Sequence, residues 1–101
     1  KFLILKKTPK DVLNFCNKNT NFIEYAPEIF KFISKISKLV KNHKNNCFMT
    51  IDYGYYDENF RNTLQALEKH QKVDIFYNPG NVDITHLVNF KFINRIFEKN
   101  L

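Results

Sequence analysis

Asp52, Tyr53 and Gly54 close an apolar run and Tyr55 follows at once, so a carboxylate, two phenol rings and a glycine stand together at one point of the chain. A carboxylate so placed can orient a cationic group through charge-assisted hydrogen bonds, and the rings beside it can stack on a ligand. In open α/β sheets the ligand crevice lies beyond the carboxyl ends of the strands, and a buried strand that surfaces in an acid has the form expected of that edge. Asp52 has two readings: it caps a neighbouring backbone N–H, or it faces cofactor or substrate in a catalytic role. Gly54 is expected to permit positive φ at the turn. Two further groups follow, Thr63-Leu64-Gln65-Ala66 with His70, and Asn78-Pro79-Gly80 leading into Asp83-Ile84-Thr85 and Val88-Asn89-Phe90. Tyr53, Gly54, Tyr55, His70, Asp83 and Thr85 are the candidate substrate-contacting or cleft-lining residues.

The elements that position these groups follow from periodicity and punctuation. Phe2–Leu5 reads as a short strand, and Thr8, Pro9 and Asp11 have the chemistry of a helix start before a loop over Asn17–Asn21. Phe22–Tyr25 is expected to be extended and to deliver the chain to Pro27. Pro27 suits the first turn of a helix and Glu28 its positive end. Ile29, Ile33, Ile36 and Val40 recur every three or four residues, widened by Phe30 and Leu39, with Lys31, Lys35, Lys38 and Lys41 opposite. Packing on a sheet accounts for this amphipathic helix better than a membrane surface does, because it leads directly into an apolar run. Cys47–Tyr53 is too apolar for a half-exposed strand and is expected to be central and covered on both faces. Tyr55–Asn62 reads as a surface loop, while Thr63–His70 fits neither the helical nor the strand period. Asn78-Pro79-Gly80-Asn81 is a turn in which Pro presets φ and Gly takes a positive value. Asp83 or Thr85 is expected to cap a short turn, and Asn89 to serve as a helix N-cap.

Read in order, Glu24, Pro27, Asp52-Tyr53-Gly54, Thr63-Leu64, His70, Pro79-Gly80, Asp83-Ile84-Thr85 and Val88-Asn89-Phe90 resemble the MidA-like family of S-adenosylmethionine-dependent methyltransferases. The mitochondrial members of that family methylate arginine in a respiratory complex I subunit during assembly. The resemblance covers roughly Glu24 to Phe97 and rests on the order and spacing of many short elements. It implies an α/β fold, a partial Rossmann-like (class I methyltransferase) sheet with flanking helices, truncated at both ends. It also implies a cofactor, S-adenosylmethionine, held in the complete domain by a Gly-rich turn and an acidic residue upstream of Lys1. Only Gly54 and Gly80 occur here, so no cofactor is expected on this chain alone. Methyl transfer is an in-line displacement that needs aligned donor and acceptor and, for arginine, carboxylates to orient the guanidinium. Three departures stand out: the glycine expected between helix and strand is replaced around Asn46-Cys47, Arg61-Asn62 stand where the family carries Gly-Asp, and Asn89 replaces an acid. The expected partners are the missing upstream half and a protein substrate.

Composition bounds the alternatives. One domain at most fits in 101 residues, and residues 1–101 read as the later portion of a methyltransferase domain. Net charge is +6 and the pI about 9.4, but lysine supplies 14 of the 16 basic residues and is scattered from Lys6 to Lys99. That pattern describes a solvated basic surface and speaks against nucleic-acid binding, which favours clustered arginine. Cys16 and Cys47 match no zinc or redox spacing and read as buried or half-buried thiols in a reducing compartment, hence a cytoplasmic location. No run approaches a membrane span. The competing class is a small basic interaction module that acts through a partner protein or RNA.

Overall fold

The computed structural model describes residues 10–13 and 22–101. Phe2–Leu5, Cys16 and the Asn17–Asn21 loop lie outside the described residues. Lys10–Leu13 forms a single helical turn, α1, and 22–26 run on without regular structure.

Pro27–Lys41 is a helix, α2, as the three-and-four spacing requires. Ala26 is extended at its N-cap with no side-chain cap, and Pro27 supplies the preset φ of the first turn. Glu28 stands at the positive end and pairs with Lys31 at 3.1 Å, while Lys38 and Lys41 occupy the last turn. Past the end, Asn46 Nδ2 reaches back 2.9 Å to the Leu39 carbonyl, which would otherwise lack an intrahelical partner. The buried stripe is narrower than the periodicity implies, since Ile33 and Ser37 are buried while Leu39 and Phe32 are exposed. Ser37 can occupy this interface because its hydroxyl donates to the Ile33 carbonyl at 2.7 Å, so no polar atom is left unmatched.

Phe90–Asn100 is the second long helix, α3, and Asn89 caps it: Phe92 N–H donates to Asn89 Oδ1 at 3.2 Å. Asn89 is itself buried, and its Nδ2 has no hydrogen-bond partner among the described residues. The helices α2 and α3 pack together around Ile33, Phe92 and Ile96, with Ile29, Phe30, Phe60, Ile93 and Phe97 against them. Phe92 is the centre, with edge-on contacts to Phe30 and Phe60 at ring separations of 5.7 and 5.0 Å.

Two small sheets complete a mixed α/β arrangement. Gly54–Tyr55 (β1) pairs in parallel with Val88–Asn89 (β5). Gln65–Glu68 (β2) is the middle of an antiparallel sheet, flanked by Gln71–Val73 (β3) and Asp83–Thr85 (β4). The described strands do not by themselves make a Rossmann-like sheet. The Thr63–His70 segment, of undecided period in the sequence, thus supplies the first strand and the turn of a hairpin with β3, and the two loop residues Lys69 and His70 both have positive φ, 49° and 65°, the pattern of a type I′ turn. Asp83 and Thr85 do not cap a turn; they belong to β4, where register with Leu67 and Gln65 holds them. The Asn78–Asn81 turn forms as expected, with Gly80 at φ 92° and Asn81 N–H donating to the Asn78 carbonyl at 3.1 Å.

Cys47–Tyr53 is the main correction. Only Tyr53 meets another strand, its carbonyl accepting from Val88 N–H at 3.0 Å. Cys47 is exposed rather than buried, and Met49, Ile51 and Tyr53 are 78, 83 and 85% exposed. An apolar run signals burial only if neighbouring strands and a covering layer exist, and among the described residues they do not. Gly54 also differs from expectation: its φ is not positive. Instead a Cβ there would lie 2.3 Å from the Val88 carbonyl and 2.6 Å from the Phe90 ring, so glycine is required for the close approach of β1 to β5. Gly54→Ala should cost roughly 1–3 kcal/mol, the range for overpacking a filled site. The drop would appear in the melting temperature together with loss of exchange protection at the Val88 amide; a variant as stable as the parent would show that β1 and β5 can separate freely.

Candidate functional site

An open cleft of about 480 Å³ lies where the end of the Cys47–Tyr53 run meets β2 and the β4–β5 connection. Asp52, Tyr53, Thr63, Gln65, Leu67, Thr85, His86 and Leu87 line it. Asp52 is exposed and turns one carboxylate oxygen back to accept from Tyr53 N–H at 2.7 Å. The capping reading is therefore realised for that oxygen, while the side chain also lines the cleft. Gln65 Nε2 donates to Thr85 Oγ1 at 3.1 Å, fixing the two polar groups of the adjacent β2 and β4.

Glu24, which is not itself among the lining residues, braces Thr63, which is. Its Oε1 accepts from Thr63 N–H at 2.7 Å and Leu64 N–H at 2.9 Å, and Thr63 Oγ1 lies 2.9 and 2.7 Å from the two carboxylate oxygens. Thr63 Oγ1 also accepts from Leu87 N–H at 2.9 Å, and His86 Nδ1 stands 4.0 Å from Glu24 Oε2. A residue before α2, the start of β2 and the β4–β5 connection are thus tied at one point. The Glu24 side chain is only 17% exposed, so these charge-assisted bonds compete little with water.

The Tyr55–Asn62 loop is built as a structure in its own right. Tyr55 hydroxyl accepts from Arg61 N–H at 3.0 Å, and the Arg61 guanidinium lies over the Tyr55 ring at 4.8 Å. Asp57 accepts from Asn59 N–H and from Arg61, and these contacts, the Asn59 amide foremost, hold its carboxyl below the usual range. Glu58 binds two cations of α3, Lys91 at 2.6 Å and Arg95 at 3.0 Å. The hydrogen bond from Lys91 holds the Glu58 carboxyl below its ordinary value of 4.5 and raises Lys91 above 10.5. Because the folded-state value of Glu58 is depressed, its stabilisation is present above about pH 4.5 and is lost as pH falls through the lower folded value. Wild-type protein should therefore lose melting temperature in acid more steeply than Glu58→Gln; parallel acid limbs for the two proteins would show that the ion pair contributes nothing. The group is exposed, so salt should shrink the difference.

Of the residues marked in the sequence, the cleft gathers Asp52, Tyr53 and Thr85. It does not gather the others. Tyr55 is occupied by Arg61, Gly54 is packed beneath Val88 and Phe90, His70 sits exposed in the hairpin turn, and Asp83 is exposed on β4. Glu24, Thr63, Gln65 and His86 were not marked; Glu24 and Thr63 stood in the ordered pattern, but no local signal says that residues 39 apart meet. Among the described residues no three His, Cys, Asp or Glu side chains are placed to hold a metal ion, and no helix is long and apolar enough to cross a membrane.

The family described as "Putative S-adenosyl-L-methionine-dependent methyltransferase" matches residues 4–101. The chain belongs to that family. It is also similar to protein arginine methyltransferase NDUFAF7, mitochondrial, of Xenopus tropicalis, at 28% identity over 74 residues. That match takes in 73% of this chain and 17% of the relative's length. No solved structure gives a significant match.

Proposed function

We propose that this chain is the later portion of a MidA-like protein-arginine methyltransferase domain, that its strands join a Rossmann-like sheet with the cofactor-binding half, and that it is inactive alone. The observation that carries the reading is the convergence of Asp52, Thr63 and Thr85, drawn from three separate parts of the ordered family pattern, on one cleft pinned by Glu24. The described residues do not form a site that fits S-adenosylmethionine. Gly54 is filled in by Val88 and Phe90 and Gly80 is a lone glycine of an exposed turn that does not open a helix, so neither forms the cradle of N–H groups at a helix N-terminus that holds a nucleotide. The cofactor therefore belongs to the other half in this proposal, and this half contributes the acceptor side. Asp52 would orient a cationic side chain of a protein substrate, with Tyr53 and the amide and hydroxyl of Gln65 and Thr85 as its neighbours. A reducing compartment such as the cytoplasm suits the exposed thiol of Cys47.

Calorimetric titration of the chain alone with S-adenosylmethionine should show no binding. Micromolar affinity would overturn the division of labour, because it would require a second cofactor site within residues 1–101.

A further inference from the structure

We infer that a buried water molecule binds in the small cavity behind the cleft, accepting from the side-chain amide of Asn89 and donating to the Glu24 carboxylate. The inference is independent of the function proposed above, because it concerns what braces the cleft and not what the cleft turns over. It begins from one side chain. Asn89 is 7% exposed, its Oδ1 is committed to Phe92 N–H, and its Nδ2 has no hydrogen-bond partner among the described residues. The bond to Phe92 also fixes which end of the amide is which, since the atom that faces an N–H is the oxygen. A buried donor is as a rule matched by protein or by ordered water, because a bare one forfeits its hydration with nothing in return.

Asn89 borders a cavity of about 90 Å³ that also reaches Glu24 and His86, with Ile29, Phe60 and Phe92 as apolar wall. His86 and Leu87 line both this cavity and the outer cleft, so they form the partition between the two. One water has about 30 Å³ of liquid volume, so there is room for one and for little more than a companion or two. Glu24 supplies the acceptor. Each carboxylate oxygen takes two hydrogen bonds, and Oε1 is filled by the Thr63 and Leu64 amides. Oε2 receives only the Thr63 hydroxyl at 2.7 Å, for His86 Nδ1 is beyond bonding distance at 4.0 Å and lies nearer the Leu87 carbonyl, at 3.2 Å. One lone pair of Oε2 is left.

These partners select the ligand. It must accept from an amide N–H and donate to a carboxylate within one small space. An anion is repelled by Glu24 and a metal ion by the hydrogens of the Asn89 NH2 group, whereas water meets both and ordinarily makes about three such bonds when buried. The water ties the first turn of α3 to the residue that braces Thr63, and it gives the nitrogen of Asn89 a use.

The test is the water–protein nuclear Overhauser effect in the 101-residue chain, read at the Asn89 NH2 protons and at the methyl groups of Val88 and Ile93, which line the same cavity. A cross-peak is expected at each, with the sign of a water that tumbles with the protein, and a rotating-frame spectrum separates it from proton exchange. Asn89→Thr keeps a capping oxygen for Phe92 N–H and puts a methyl group in place of the NH2. The Val88 and Ile93 cross-peaks should then fall to the level seen at the exposed Leu39, with the helical circular dichroism unchanged. Asn89 NH2 protons without a water cross-peak would overturn the inference. So would methyl cross-peaks that survive Asn89→Thr, since the amide would then not be what holds the water. The measurement at the Asn89 NH2 protons decides by itself if Asn89→Thr does not fold.

Discussion

Glu24→Ala is expected to lower the unfolding free energy of the chain by about 2–3 kcal/mol, read by urea denaturation. The substitution leaves the Thr63 and Leu64 amides and the Thr63 hydroxyl without their shared acceptor, and a buried donor left unmatched costs roughly 1–3 kcal/mol. The sum is discounted because Thr63 is half-buried and Leu64 exposed, so water recovers part of the loss. Glu24→Gln should fall between the two: one oxygen remains to accept from the amides, but the new NH2 faces a hydroxyl already engaged with Leu87 N–H. If Glu24→Ala loses less than about 0.5 kcal/mol, in the range of ordinary surface changes, the carboxylate is not what braces Thr63.

On the proposed function, Asp52→Asn should reduce turnover by on the order of a hundredfold once the chain is assembled with a cofactor-binding half, the effect of removing one positioned electrostatic contact. The change is nearly isosteric, and the amide oxygen can still accept from Tyr53 N–H, so folding should be spared. Since Asp52 is exposed, the charge has no buried partner to strand, and the loss should fall on the reaction with a cationic acceptor rather than on stability. A folded, assembled Asp52→Asn enzyme with unchanged turnover would reduce Asp52 to a cap for Tyr53.

What could be read in advance depended on how local the physics was. The helix α2 announced itself through Pro27, Glu28 and the isoleucine spacing, and α3 through Asn89, because a helix satisfies its backbone within itself and needs only a stripe and a cap. The Asn78–Asn81 turn was legible for the same reason. The hairpin was not: its turn uses Lys69 and His70 at positive φ instead of the Asn-Gly pair that marks a type I′ turn, and on its other edge β2 pairs with β4, more than ten residues away. Cys47–Tyr53 was misread because apolarity reports what a segment would bury in a finished sheet, and the described residues do not supply that sheet. Within the cleft, Asp52 and Tyr53 were visible from their place at a strand end. Glu24 and His86 matter through contacts that only the folded chain makes.

The cap of α3 bears on how this chain can drift. Among the described residues the Asn89 side chain is bonded only through its oxygen, and its buried nitrogen has no partner there. A carboxylate could accept the same bond from Phe92 N–H and would sit favourably at the positive end of the helix dipole. Asparagine and aspartate can both make this cap, the aspartate's gain from the helix dipole being set against the cost of burying its charge. The acid of the family pattern can be exchanged for Asn89, in either direction and in a single step, without loss of the bond from Phe92 N–H that starts the helix.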